Sequence, residues 1–310
     1  MTALLIVGGL ASLIVGAELL VRGASGLALR LGIPPMVVGL TVVSIGTSLP
    51  ELAVGIDAAR IGAGSLAVGN IAGTNMVNLL LILGLSAAIA PLAIKRTTIR
   101  FELPMMVLAA VLLSLLALDG QLSRFDGALL LALAVAFSLQ VVRLGRKEPP
   151  PTEGELPPAG SAVVDTGLLV GGMVIVIVGA DLLVHGAVDA ARALGVSEAL
   201  IGLTIVAIGT SMPELVTTLV STLKGERDVA IGNLIGSSVY NVAFILGATA
   251  MFSPLPVPSE MVRIDLPLMV AVSLLFIPMF ITGRRVSRGE GIALVLGYVV
   301  YMSALVLFRT

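Results

Sequence analysis

The sequence predicts an all-α polytopic membrane protein whose ten transmembrane helices form two inverted repeats of five. Three observations carry this prediction. The 310 residues are 57% hydrophobic and 12% charged, with a mean hydropathy of +1.12, far more apolar than a soluble chain of this length. Ten segments are long enough, at about 20 residues each, to cross roughly 30 Å of hydrocarbon. One offset of 163 residues lays about seventy-five residues of the second half over the first without a gap, and such a repeat governs how the whole chain is read.

In order, the segments are roughly 2–29, 35–59, 65–90, 101–118, 124–144, 164–192, 197–223, 228–250, 261–282 and 289–308. The first, beginning MTALLIVGGL, has no basic n-region and reads as a spanning helix rather than a cleaved signal. Between the fifth and sixth lies RLGRKEPPPTEGELPPAGS. Its prolines and charges suit an exposed, semi-extended linker. The expected organisation is a first repeat at 1–145, a linker at 146–163 and a second repeat at 164–310. Five spans per half is an odd number, so the second copy enters the membrane from the opposite face, a plan common among secondary transporters. Thirteen basic residues fall on the linker side and five on the other, which places the linker in the cytoplasm and both termini outside.

Net charge is −1 and the basic residues are scattered, leaving no footprint for nucleic acid. With no cysteine and a single histidine, His185, thiolate and imidazole metal clusters are excluded. A metal ion here is held by oxygen.

The segment Gly39–Glu51, GLTVVSIGTSLPE, recurs as Gly202–Glu214, GLTIVAIGTSMPE, with ten of thirteen letters identical. Glu51 and Glu214 thereby sit deep in apolar segments, where a carboxylate is normally kept for an ion or proton pathway. Pro50 and Pro213 have no N–H for the carbonyls of Gly46 and Gly209, so each helix is expected to kink before its glutamate. Carbonyls released at membrane depth need an ion or a water-lined cavity. Ser44, Thr47, Ser48 and Glu51 are three or four positions apart, as are Thr210, Ser211 and Glu214, so each set shares a helix face. The next helix of each half carries a polar stripe at intervals of four: Asn70, Thr74 and Asn78, then Asn233, Ser237 and Asn241. Carboxylates, amides, hydroxyls and carbonyls together suit a hard cation such as Ca²⁺, and Na⁺ accepts a similar set. Asn70 and Asn233 read as braces, and so do Glu18 and Asp181, which match across the repeats beside Arg22 and His185. Asp119, Asp126, Glu260 and Asp265 fall at span ends and are expected to be solvated. An intramembrane aspartyl protease would need YD and GxGD motifs at depth, which the chain does not provide, so an enzyme is not expected. Two oppositely oriented broken helices favour alternating access over a passive cation channel.

GTSLPE and GTSMPE, each followed by GN, then GT or GS, then an Asn 27 residues after the Glu, resemble the two α-repeats of the cation/Ca²⁺ exchanger superfamily. The similarity is greatest to its Na⁺/Ca²⁺ exchangers of prokaryotic type. The repeats would span about 39–84 and 202–247. The resemblance implies a cofactor-free antiporter of the plasma membrane, whose partners are Ca²⁺, Na⁺ and the lipid bilayer. It places the Ca²⁺ ligands on Glu51, Glu214, Thr47 and Thr210. It places Na⁺ sites on Ser44, Ser48 and Thr74 in one half and on Ala207, Ser211 and Ser237 in the other, with Ser44 and Ala207 contributing carbonyls. Asn78 and Asn241 complete the central set. K⁺-dependent relatives carry Asp where this chain has Asn241, which implies K⁺-independent exchange. GTSxPE, in place of the GNxxE-type sequence of H⁺/Ca²⁺ exchangers, implies coupling to Na⁺, with H⁺ as the alternative. Three Na⁺ per Ca²⁺, the ratio implied, would make exchange electrogenic.

Overall fold

The computed structural model describes residues 2–147, 161–195 and 207–309. Nine helices among them are long and apolar enough to span a membrane: α1 (Thr2–Leu31), α2 (Pro35–Arg60), α3 (Gly64–Ile89), α4 (Thr98–Asp119), α5 (Arg124–Gly145), α6 (Ala162–Ala193), α8 (Arg227–Phe252), α9 (Met261–Ile281) and α10 (Arg288–Leu307). The tenth, α7, is described over 207–223, and the part of the expected span at 197–206 lies outside the described residues. So does most of the expected linker, at 148–160. Large apolar side chains such as Leu4, Ile292, Leu296 and Val300 stand exposed on the outer helices. Such a surface suits lipid and not water.

The inverted repeat runs further than the letters do. Among the described residues six glycines have positive φ, and they form three pairs at the 163-residue offset: Gly32 with Gly195, Gly62 with Gly225, and Gly120 with Gly283. Each sits just past a helix end, where a residue without a β-carbon turns the chain into a left-handed conformation at no steric cost. After Gly283 comes Arg284, the one non-glycine residue with positive φ among those described. It is a single-residue insertion. Beyond it the halves match at an offset of 164, so that the capping pair of Ser123 and Asp126 at the start of α5 recurs as Ser287 and Glu290 at the start of α10. Each hydroxyl and carboxylate satisfies backbone N–H groups that the first turn leaves without partners.

Two short strand pairs join the halves outside the bundle. β1 (Leu92–Ala93) pairs with β4 (Arg285–Val286), and β2 (Gln121–Leu122) with β3 (Leu255–Pro256), both antiparallel. Paired strands lie on the same face of the membrane, so an even number of crossings separates them. That parity holds when 207–223 belongs to a crossing of its own, giving ten.

The two longest helices, α1 and α6, pack antiparallel through glycines spaced seven apart: Gly9, Gly16 and Gly23 on one, Gly172, Gly179 and Gly186 on the other. A β-carbon at Gly16 would lie 2.8 Å from the Val176 amide nitrogen, and one at Gly9 would lie 2.7 Å from that of Leu183. Small residues thus let two backbones touch, the usual means of helix association without a hydrophobic driving force. Beside this pair the centre is formed by α3 and α8, which are largely buried, whereas α10 is largely exposed. The broken helices α2 and α7 run alongside these two. Gly16→Leu places side-chain atoms against backbone that cannot yield, and is expected to destabilise the bundle by about 1–3 kcal/mol. Gly8→Leu, with nothing within 4 Å of its β-carbon, should be neutral. Thermal unfolding of the two variants in detergent checks the contrast.

Candidate functional site

Neither α2 nor α7 is a continuous helix. In α2 a π-helical stretch, Gly39–Val43, leads to Ser44–Thr47; Ser48 then leaves helical geometry at φ −87°, ψ 5°, and Leu49–Arg60 begins. In α7, Ala207–Thr210 ends at Ser211, with the same φ −87°, ψ 5°, before Met212–Leu223. The break falls at the serine, and Pro50 and Pro213 occupy the first turn of the new segment rather than bending a continuous helix. A proline there gives up only an N–H that had no intrahelical partner. Glu51 and Glu214 lie in the same first turns, so the positive ends of two oppositely directed half-helices meet two carboxylates at mid-membrane.

Both glutamates are 0% exposed. The halves are stitched together around them. Ser48 Oγ donates to Glu214 Oε1 at 3.1 Å, and Thr47 Oγ1 donates to Asn233 Oδ1 at 3.3 Å. The Ser44 hydroxyl points away: it donates to the Gly39 carbonyl at 2.6 Å and packs against α8 beside Gly236. Of the expected residues, Ser44, Thr47, Ser48, Glu51, Thr74, Asn78, Ser211, Glu214, Ser237 and Asn241 are all buried. Thr210 is half-buried, and Ala207 opens the short helix Ala207–Thr210.

Buried polar atoms without a hydrogen-bond partner gather in this set. They include both carboxylate oxygens of Glu51, Oε2 of Glu214, the hydroxyls of Thr74, Ser211 and Ser237, and both amide heteroatoms of Asn78 and Asn241. Native interiors satisfy nearly all such groups, and a buried carboxylate left unpaired is strongly unfavourable. An oxygen-seeking cation removes both penalties. No cluster of three or more His, Asp or Glu side chains that could hold a metal occurs among the described residues; the unpartnered groups beside the two carboxylates are neutral hydroxyls and amides.

The sequence reading missed several features around this site. The helices α3 and α8 turn π-helical at Val77–Ile82 and Asn241–Leu246, where Asn78 and Asn241 lie. Such stretches widen a helix and frequently mark functional positions. Asn75, between the two candidate stripes, donates to the Ser238 carbonyl at 3.3 Å and ties α3 to α8. Asp119 and Glu260 are exposed as expected, but Asp126 is a half-buried helix cap, Asp265 is half-buried, and Glu102, at the position matching Asp265, is buried. Glu18 reaches Lys224 at 2.8 Å, and Asp181 faces His185 at 3.3 Å. A cavity of about 360 Å³ extends from Val54 and Asp181 to Thr210, Pro213 and Pro50. It lies on the face of the membrane that carries both chain termini.

A family model described as sodium/calcium exchanger protein matches residues 1–142 and 164–307. The chain belongs to the sodium/calcium exchanger family. Sodium/calcium exchanger MaX1 of Methanosarcina acetivorans is 30% identical over 341 residues, covering 97% of each chain. Inner membrane protein YrbG of Escherichia coli is 40% identical over 315 residues, covering 98% of this chain and 96% of its own. The solved structure of the sodium-calcium exchanger NCX_Mj superposes with a TM-score of 0.86 at 30% identity, over 98% of both chains. The exchanger is therefore an integral membrane cation/Ca²⁺ antiporter with the inverted-repeat fold, from a family of transporters and not of catalysts. Removing one of two buried charges that a divalent ion would neutralise forfeits a few kcal/mol. Glu51→Gln and Glu214→Gln are each expected to fold and insert while binding ⁴⁵Ca²⁺ roughly 100-fold more weakly. Wild-type binding in either variant would remove that carboxylate from the site.

Proposed function

We propose that the exchanger moves Na⁺ against Ca²⁺ by alternating access, with one Ca²⁺ held between Glu51, Glu214, Thr47 and Thr210. Na⁺ then takes the oxygens of Ser44, Ser48 and Thr74 on one side and of Ala207, Ser211 and Ser237 on the other, with Asn78 and Asn241 closing the centre. The observation that carries this reading is the surplus of neutral oxygen. Protons need only the two carboxylates, and the buried, unpartnered hydroxyls of Thr74, Ser211 and Ser237 offer further oxygens of the kind Na⁺ accepts, which supports coupling to Na⁺. Asn241 supplies an oxygen and no charge, which supports exchange without K⁺. The division into repeats at 1–145 and 164–310 about a linker at 146–163, with the linker cytoplasmic and the termini outside, belongs to the same proposal and is supported by the bias of basic residues.

Two carboxylates neutralise one Ca²⁺, while three Na⁺ would leave the loaded core at +1. Carrying one charge through the field is worth about 2.3 kcal/mol per 100 mV. In proteoliposomes loaded with Na⁺, with voltage set by K⁺ and valinomycin, ⁴⁵Ca²⁺ uptake should require internal Na⁺ and rise when the interior is made positive. Uptake driven by a pH gradient without Na⁺ would establish proton coupling instead. Insensitivity to voltage would refute the three-to-one ratio.

Orientation has its own check. The chain has no cysteine, so Gly154→Cys supplies a unique thiol. An impermeant maleimide should miss it in intact cells and label it after permeabilisation; labelling from outside would invert the assignment.

A further inference from the structure

Asn233 is gripped from both halves. Its Nδ2 donates to Thr218 Oγ1 at 3.0 Å, one turn beyond Glu214 on α7, and its Oδ1 lies 3.3 Å from Thr47 Oγ1 as an acceptor for that hydroxyl, which also has the Ser44 carbonyl within reach at 3.4 Å. All three side chains are 0% exposed. The direction of these bonds matters for an ion. A threonine that gives its proton to an amide oxygen keeps its own lone pairs for a cation, whereas one that accepts an amide N–H has spent one of them. Thr218, by accepting from Nδ2, turns Oδ1 towards Thr47.

The first half lacks this brace. The position matching Thr218 is Gly55, where a β-carbon would lie 2.9 Å from Thr249 Oγ1, and Nδ2 of the matching Asn70 is buried without a partner. We infer that Thr218 is a positioning residue for ion binding, acting through Asn233 to hold Thr47 with its lone pairs facing the ion. This rests on the reading of Thr47 as a Ca²⁺ ligand.

Thr218→Val keeps the shape and removes the acceptor. It should raise the Ca²⁺ concentration for half-maximal exchange about fivefold, as loss of one buried hydrogen bond does, with little change in maximal rate, and Thr218→Ser should restore it. In a Thr47→Val background, Thr218→Val should add nothing. If Thr47→Val alone leaves the affinity unchanged, the ligand reading of Thr47 fails. If Thr47→Val weakens binding and Thr218→Val does not, or if the two effects simply add, the brace is overturned while the ligand reading stands.

A separate observation concerns the two faces. Lys224, at the linker-side end of α7, pairs with Glu18 of α1 at 2.8 Å, and both line a cavity of about 180 Å³ with Arg22, Ser25 and Glu226. No candidate ion ligand borders that cavity, while the one on the opposite face reaches Thr210. In an inverted repeat the opposite-facing state is made by exchanging the conformations of the two halves. The contact equivalent to Glu18–Lys224 is then Asp181 with Ile61. Ile61 is exposed and carries no charge.

The geometry points to Glu18–Lys224 as a one-sided latch, formed when the linker side is closed and without a counterpart when it is open. Exposed ion pairs are worth little, so the bias is modest. Ser25→Cys, in that linker-side cavity, reports opening. In permeabilised vesicles Lys224→Ile should speed its labelling by an impermeant thiol reagent about twofold to fivefold. Ile61→Lys, which gives Asp181 a partner on the other face, should also speed it, and the swap Glu18→Lys with Lys224→Glu should return it to the starting rate. Unchanged labelling in Lys224→Ile, or failure of the swap to restore it, would overturn the latch.

Discussion

Two carboxylates with no exposure, one from each half of an apolar bundle, are the constraint that the rest of the structure answers. Left alone in a medium of low dielectric they would repel each other and lack solvation. Several irregularities gather around them. The helices break at Ser48 and Ser211 so that half-helix N-termini face the glutamates, Ser48 reaches across to Glu214, and π-helical stretches re-aim Asn78 and Asn241. On the proposed reading a cation would supply what the protein groups leave undone, and ion occupancy would then be part of the stability of the centre.

A site that must open to either face needs walls that do not depend on which face is open. The glycine-spaced pair of α1 and α6 supplies one such wall. Its backbones touch at Gly9, Gly16, Gly172 and Gly179, and Arg30 holds Asp165 at 2.7 Å at the linker-side end, so the two helices form one body. The strand pairs β1–β4 and β2–β3 clip the other helices together from outside. Helices α2 and α7 pass between these two units.

The fold and the location of the site were legible because the constraints that produce them act on few residue types. Apolar length gives spans, and a carboxylate that recurs at the same place in two apolar segments stands out against them. The six paired turn glycines were visible as letters, but their common role was not, since positive φ is a property of the backbone. The match of α4 with α9 and of α5 with α10 was hidden because lipid-facing positions accept any large apolar side chain, and because Arg284 shifts the register by one. Asp126 looked solvated at a span end; that it closes a capping box depends on Ser123 having left helical geometry. The π-helical turns at Asn78 and Asn241 have no single-residue signature, and only their occurrence at matching places in both halves marks them as designed.

Repetition of the backbone does not impose repetition of the chemistry. The two halves share breaks, turns and caps, yet Thr218 stands opposite Gly55, Lys224 opposite Ile61 and Arg22 opposite His185. A perfectly symmetric duplicate would have inward-facing and outward-facing states of equal energy and equal affinity at both ends. Substitutions off the glutamates can separate those energies, since a pair such as Glu18 with Lys224 has no charged counterpart at the matching positions Asp181 and Ile61. The backbone therefore specifies that two states exist, and the unmatched side chains decide how they are weighted.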